Sequence, residues 1–251
     1  MKYYASFFAL LLFLTGCGTK PQPVIVEAEI IPVMPGAASD AHAINAWLAP
    51  YKRHVDSVMN VKIGTASADL LRDLPNAPLN NFVADAMWEF GQKHFGKIDV
   101  AVSNFGGLRA DLRQGDITIG DIYRVMPFDN MVVVLTLDGH TVSELAQAIA
   151  RKGGDVTSGI TMDIVTTNEG NRAERIRIQG APINTKRSYR VVTTDYLSFG
   201  EDKLEPLGEY MRLENSFVEL RTVLIEKVRQ MGAVHQIITP TYKQHYIYVK
   251  K

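Results

Sequence analysis

The chain has 251 residues, 46% of them hydrophobic and 22% charged, an ordinary globular composition with enough length for one large domain or two small ones. Its 27 basic and 27 acidic residues cancel, so no broad positive field is available to gather the phosphates of a polymer, which argues against nucleic acid as a partner. A single cysteine excludes disulfides within the chain.

The opening segment, MKYYASFFALLLFLTGCGTK, places Lys2 ahead of an apolar run of roughly ten residues, too short to span a bilayer and fitting the core of a secretory signal. Leu14, Thr15, Gly16 and Cys17 resemble the bacterial lipobox, in which the cysteine becomes the lipidated first residue of the mature protein. The bland alternative is a buried cysteine in an N-terminal helix. On the lipobox reading, residues 1–16 are a lipoprotein signal peptide and Cys17 carries a lipid. The protein is then expected in the bacterial cell envelope, held on a membrane outside the cytoplasm without crossing it, on the periplasmic or the surface face. Prolines at 21, 23, 32 and 35 make residues 17–38 read as an extended tether, and the folded part is expected over residues 39–251. Without residues 1–16, which hold Lys2 and no acid, the net charge is about minus one.

Helical spacing over DAHAINAWLAPYKRHVDSVM predicts a first helix, with Asp40 as its cap. A second helix is predicted at APLNNFVADAMWEFGQKHF, with Phe82, Val83, Ala86, Met87 and Phe90 on one face, leading into the apolar, strand-like KIDVAVSN. After a turn at RQGD come a short helical segment, IGDIYRVM, and the β-branched run MVVVLTLDG. The amphipathic TVSELAQAIARK follows, stopped by Gly153 and Gly154. Strand-like runs at GITMDIVTT, ERIRIQG and SYRVVTTDYL precede a long helix near SFVELRTVLIEKVRQMG. Helices mixed with consecutive strands favour an α+β fold over a strictly alternating parallel sheet.

No familiar reaction centre stands out. The six histidines, His42, His54, His94, His140, His235 and His245, lie in no HExxH, Asp-x-His or Gly-Asn-His run, and each reads as a surface or packing residue. There is no Gly-x-Ser-x-Gly elbow and no phosphate-binding Walker loop. Groups suited to gripping a small anionic, aromatic ligand are present instead. Gly106 and Gly107 follow a strand and permit close approach of backbone to ligand, and Arg109 offers a planar fork of donors. Taken alone, a glycine turn before an exposed arginine is a common surface feature. Phe128, just after Pro127, and Tyr196, ahead of Gly200 and Asp202, sit at loop edges where two rings can sandwich a base; singly, each is more often a core aromatic than a platform.

Together these pieces carry a resemblance. SNFGGLRADLRQGDITIGDIYRVMPFDNMVVVLTLDG, then YRVVTTDYLSFGEDK, with PLNNFVADAM upstream, is similar over roughly residues 60–205 to the C-terminal domain of the 5′-nucleotidase family, which includes bacterial UDP-sugar hydrolase and animal ecto-5′-nucleotidase. That family's patterns are Asn-x-Gly-Gly-Ile-Arg, Gly-Asp-Ile, Pro-Phe-x-Asn and a Phe ahead of Gly-Gly-Asp-Gly. The resemblance implies a single α+β domain with mixed sheets packed against helices. It puts the base-stacking pair on Phe128 and Tyr196, tyrosine replacing the family's second phenylalanine. The phosphate arginine falls on Arg109, a nearby polar contact on Asn104, and the asparagine facing the base on Asn130. The aspartate that holds ribose hydroxyls falls on Asp202, while a further arginine matches Arg72 one residue out of register.

Two departures accompany the likeness. Gly-Gly-Asp-Gly appears as Gly-Glu-Asp-Lys, with Glu201 and Lys203 in place of glycines. The family's hydrolysis is done by an N-terminal metallophosphatase domain with two metal ions, for which residues 1–60 have no room. The expectation is therefore a lipid-anchored substrate-recognition domain that binds a nucleotide or nucleoside, with no catalytic residue, metal site or cofactor of its own. A separate metallophosphatase chain would supply the divalent metals and the hydrolysis. A non-enzymatic nucleotide- or nucleoside-binding lipoprotein for uptake or sensing, and a structural or adhesion domain keeping only the fold, are the alternatives.

Overall fold

The computed structural model describes residues 41–250; the expected signal peptide, lipidated Cys17, tether and Asp40 cap all lie outside the described residues. The chain divides into residues 1–48 and residues 49–251, a boundary inside the first helix, and the second unit holds the site. The helices are α1 (Ala41–Met59), α2 (Pro78–Phe95), α3 (Ile119–Val125), α4 (Gly139–Lys152) and α5 (Leu220–Ala233). The strands are β1 (Lys62–Ala66), β2 (Val100–Ser103), β3 (Gly115–Thr118), β4 (Met131–Asp138), β5 (Val156–Ser158), β6 (Ile160–Thr167), β7 (Gly170–Ile178), β8 (Ala181–Pro182), β9 (Ser188–Thr194), β10 (Arg212–Glu219) and β11 (Tyr246–Lys250).

A five-stranded mixed sheet in the order β10-β4-β9-β2-β5 forms the centre; β11-β6-β7-β8 form a second sheet and β1-β3 a small ribbon. The central strands are buried on both faces, which explains their unbroken valine runs. Along β4, Val132 and Val134 join one core with residues of α2, α3 and α5, while Val133, Leu135 and Leu137 join a second with α4 and the inner faces of β6 and β7. Val192 against Val191 in β9, and Ala101 against Val100 and Val102 in β2, split the same way. The fold is thus α+β, with mixed sheets packed against helices.

Local chemistry sets the helix ends. Thr118 and Asp121 form a reciprocal capping box at the start of α3. The Asp138 carboxylate accepts from the His140 and Thr141 amides at the start of α4, and Gly153, at φ 84°, ends that helix in the left-handed conformation. The long C-terminal helix begins later than its spacing predicts, at Leu220, because Ser216–Glu219 finish β10. The Ser216 hydroxyl donates to the Val132 carbonyl at 2.6 Å, and Asn215 accepts from the Phe217 amide at 2.7 Å. These bonds hold Phe217 at φ 57° in an irregular stretch where the register with β4 shifts.

The last strand is tied into the interior by Tyr246, 1% exposed. Its hydroxyl accepts from the Asp155 amide at 3.3 Å, donates to the Asp155 carbonyl at 3.1 Å and pairs with the Thr157 hydroxyl at 2.6 Å. Burial pushes this phenol well above its usual range, so it remains a neutral donor. Tyr246→Phe leaves the Asp155 main chain without this partner and should cost about 1–3 kcal/mol of stability, read as a lower urea midpoint at unchanged slope.

Candidate functional site

Strand direction assembles the site. β2 and β9 run side by side in parallel, with Ala101 paired to Val192, and β4 runs antiparallel to β9, with Val132 paired to Thr194. The ends of β2 and β9 and the start of β4 therefore lie at one end of the sheet, which brings three loops together. Asn104–Arg109 leaves β2, Tyr196–Asp202 leaves β9, and Phe128–Asn130 enters β4. Between them opens a cavity of about 330 Å³ lined by Asn104, Gly106, Gly107, Arg109, Phe128, Asn130, Tyr196 and Asp202. Every candidate binding residue read from the sequence lines it except Arg72.

The first wall is the single 3-10 turn Phe105–Gly107. A side chain at Gly107 would put its Cβ 2.8 Å from Asn104 Oδ1, so glycine here leaves the asparagine its position. The Arg109 amide donates to the Val125 carbonyl at 2.8 Å, its guanidinium donates to the Gly106 carbonyl at 3.2 Å, and the same group stands 5.9 Å from the Phe128 ring centre. Phe128 and Tyr196 are 40% and 41% exposed, which sets these rings at the mouth of the cavity and not in the core. Arg72 points elsewhere. Its amide donates to Asp111, and its guanidinium bonds the Leu108 carbonyl and lies over the Phe105 ring, outside the lining. The turn between them separates the two arginines.

Several residues that hold these loops carry no local mark in the sequence. Asp195 accepts from the amides of Met131 at 3.0 Å and Tyr196 at 2.8 Å, clipping the end of β9 to the start of β4. Arg221, buried in the first turn of α5, reaches the Phe128 carbonyl at 3.4 Å and the Asp129 and Glu219 carboxylates, with its guanidinium over the Tyr123 ring. It fixes the loop that presents Phe128 and Asn130. On the far side Lys152, the last residue of α4, bonds Asp202 at 3.0 Å and the fully buried carboxylate of Asp155. Burial alone would lower the Lys152 ammonium, but the two carboxylates outweigh it and hold it above the usual lysine range. Asp155 also accepts from the amides of Phe105 at 2.6 Å and Val156 at 3.1 Å; burial pushes its carboxyl up against those pulls.

The two glycine replacements in the second loop differ in consequence. Glu201 sits outside the left-handed region, whereas Asp202 at φ 58° and Lys203 at φ 61° both occupy it. The loop keeps its turn, with Lys203 bearing strain of about 1–2 kcal/mol that a glycine would avoid. No three His, Cys, Asp or Glu side chains converge as metal ligands among the described residues. His245 is buried against the Ile160 carbonyl with its pKa lowered by burial, and His140 faces Glu144 on the surface. A larger hollow of about 460 Å³ opens between α2 and α5, but there Lys227 is already paired with Glu89 and His94 is stacked on Phe90.

Residues 62–209 match the family described as 5′-nucleotidase, C-terminal domain, and the chain belongs to it. It is 29% identical over 202 residues to the trifunctional nucleotide phosphoesterase protein YfkN of Bacillus subtilis, covering 74% of this chain and 14% of that one. It is also 27% identical over 182 residues to the cell wall protein Lmo0130 of Listeria monocytogenes, covering 63% and 23%. The chain thus spans a minor part of the curated relatives it matches. The fold is similar to that of a 5′-nucleotidase precursor from Thermus thermophilus, with a TM-score of 0.72 at 22% identity, covering 84% of this chain and 43% of that one.

If Arg221 works by holding the Phe128 loop, Arg221→Met should speed amide hydrogen exchange across Phe128–Asn130 about tenfold while far-ultraviolet circular dichroism stays unchanged. Unaltered exchange would show that the loop holds its shape without the arginine.

Proposed function

We propose that the chain is the nucleotide- or nucleoside-recognition half of a divided 5′-nucleotidase. The observation that carries this reading is the convergence of two half-exposed rings, one arginine and one carboxylate on a single cavity at the end of the sheet. Its volume, about 330 Å³, lies in the range of small-molecule sites.

In this reading the base lies between Phe128 and Tyr196 with Asn130 facing its edge. The Asp202 carboxylate accepts from ribose hydroxyls, and Arg109, with Asn104 beside it, meets the phosphate with its fork of donors. Phosphate-ester cleavage would come from a separate metallophosphatase chain whose divalent ions activate water over the same cleft. The part played by this chain is to bind and orient. Its expected place is the bacterial cell envelope, anchored by a lipid on Cys17; the likeness to a cell wall protein supports an envelope setting, and no described helix is long and apolar enough to cross a membrane.

Adenosine and AMP titrated into the chain should bind, and Phe128→Ala should weaken both by about tenfold or more, since base stacking contributes about 1–3 kcal/mol. Negligible binding by wild type and variant alike would leave only a structural role. Phosphatase activity should appear when a binuclear metallophosphatase encoded beside this chain is added. Binding without activity on mixing favours a nucleoside-binding lipoprotein for uptake or sensing. Chelator-sensitive turnover by the purified chain alone would overturn the division of labour.

A further inference from the structure

Asp202 does not stand alone at the cavity. Lys152 bridges it to Asp155, and both partners of the bridge are sunk in the protein: the Lys152 side chain is 14% exposed and the Asp155 side chain not at all, against 32% for Asp202. The geometry is continuous from one wall of the cavity to the other. Asp155 Oδ1 accepts from the Phe105 amide, at the head of the turn bearing Gly106 and Gly107, while its Oδ2 meets the Lys152 ammonium, which in turn donates to Asp202 Oδ2. The base of this chain of bonds is fixed by Tyr246, which holds both the amide and the carbonyl of Asp155.

Two consequences follow for Asp202. Its loop is held in a left-handed backbone conformation at Asp202 and Lys203, which by itself a flexible loop would leave. The ammonium supplies an external tether for the carboxylate. It also occupies Oδ2 from the protein side, so that Oδ1 is the oxygen with its acceptor capacity uncommitted.

We propose that Lys152, braced by Asp155, is the positioning residue that sets sugar selectivity. It holds Asp202 as an oriented acceptor, so that the site discriminates in favour of nucleosides carrying the 2′ and 3′ hydroxyls. This rests on the reading of Asp202 as the ribose contact. Phe128 and Arg109 lie on other loops, and Tyr196, at the opposite end of the loop from Asp202, is held there by Asp195, so selectivity should change separately from base affinity.

The experiment compares adenosine with 2′,3′-dideoxyadenosine by calorimetric titration of the full chain. Wild type should prefer adenosine by about tenfold or more, the effect of one to two hydrogen bonds to a charged group. Lys152→Met should reduce that preference to about twofold or less, with affinity for dideoxyadenosine nearly unchanged. Because this variant leaves Asp155 buried without its cation, the Lys152→Met/Asp155→Asn double variant is measured beside it; there the amide oxygen still accepts from Phe105 and Val156, and the same loss of preference is expected. No preference in wild type, or a preference untouched by Asp202→Asn, overturns the ribose contact and this inference with it. A preference lost in Asp202→Asn but kept in the double variant overturns the role of Lys152 alone. Loss of dideoxyadenosine binding in the double variant would mark a purely structural bridge and also overturns it.

Discussion

The parallel pairing of β2 with β9, with β4 antiparallel beside them, is the constraint on which the site depends. Parallel neighbours must release their following loops at the same end of a sheet, and an antiparallel neighbour must receive its preceding loop there. Three segments far apart in sequence therefore meet without any further device. The pairing is held because the central sheet is buried on both faces, with alternate side chains of each strand committed to different cores. A one-residue slip would exchange those commitments along the whole strand.

Strand direction brings the loops together, but buried charges hold their shape. Each of the three loops is pinned by side-chain hydrogen bonds. Arg221 of α5 holds the loop of Phe128, Asp195 joins the loop of Tyr196 to β4, and Lys152 with Asp155 joins the loop of Asp202 to the glycine turn. Arg221, Lys152 and Asp155 are largely removed from water, where charge-assisted hydrogen bonds are stronger than at the surface and an unmatched partner is costly. A cleft built this way can keep exposed aromatic rings at its mouth and a strained pair at Asp202 and Lys203 without collapsing. The strain is tolerated because the surroundings over-determine the loop.

The lining residues were legible in the sequence as a set, through the resemblance of the motifs that carry them to those of a family, and could not have been read singly. Gly106 and Gly107 look like any turn, Phe128 and Tyr196 like any pair of core aromatics. Arg72 shows the limit of this reading: near the right place in the chain, it is turned away by bonds to Asp111 and Leu108 that no linear pattern reveals. Helix periodicity also overran into Ser216–Glu219, because pairing with β4 outweighs local preference there.

Composition, hydrophobic period and turn chemistry by themselves determined the α+β class, most elements of the central sheet and the stop of α4 at Gly153, while the resemblance to a family singled out the residues that line the cavity. Those features depend on neighbours along the chain. Tertiary structure alone decided that the chosen residues share one cavity and which buried groups hold them. Lys152 and Asp202 lie fifty residues apart, and Tyr246 reaches Asp155 from ninety-one residues away. Contacts over such separations come from strand direction and from the need to pair each buried charge, neither of which any single stretch of sequence contains.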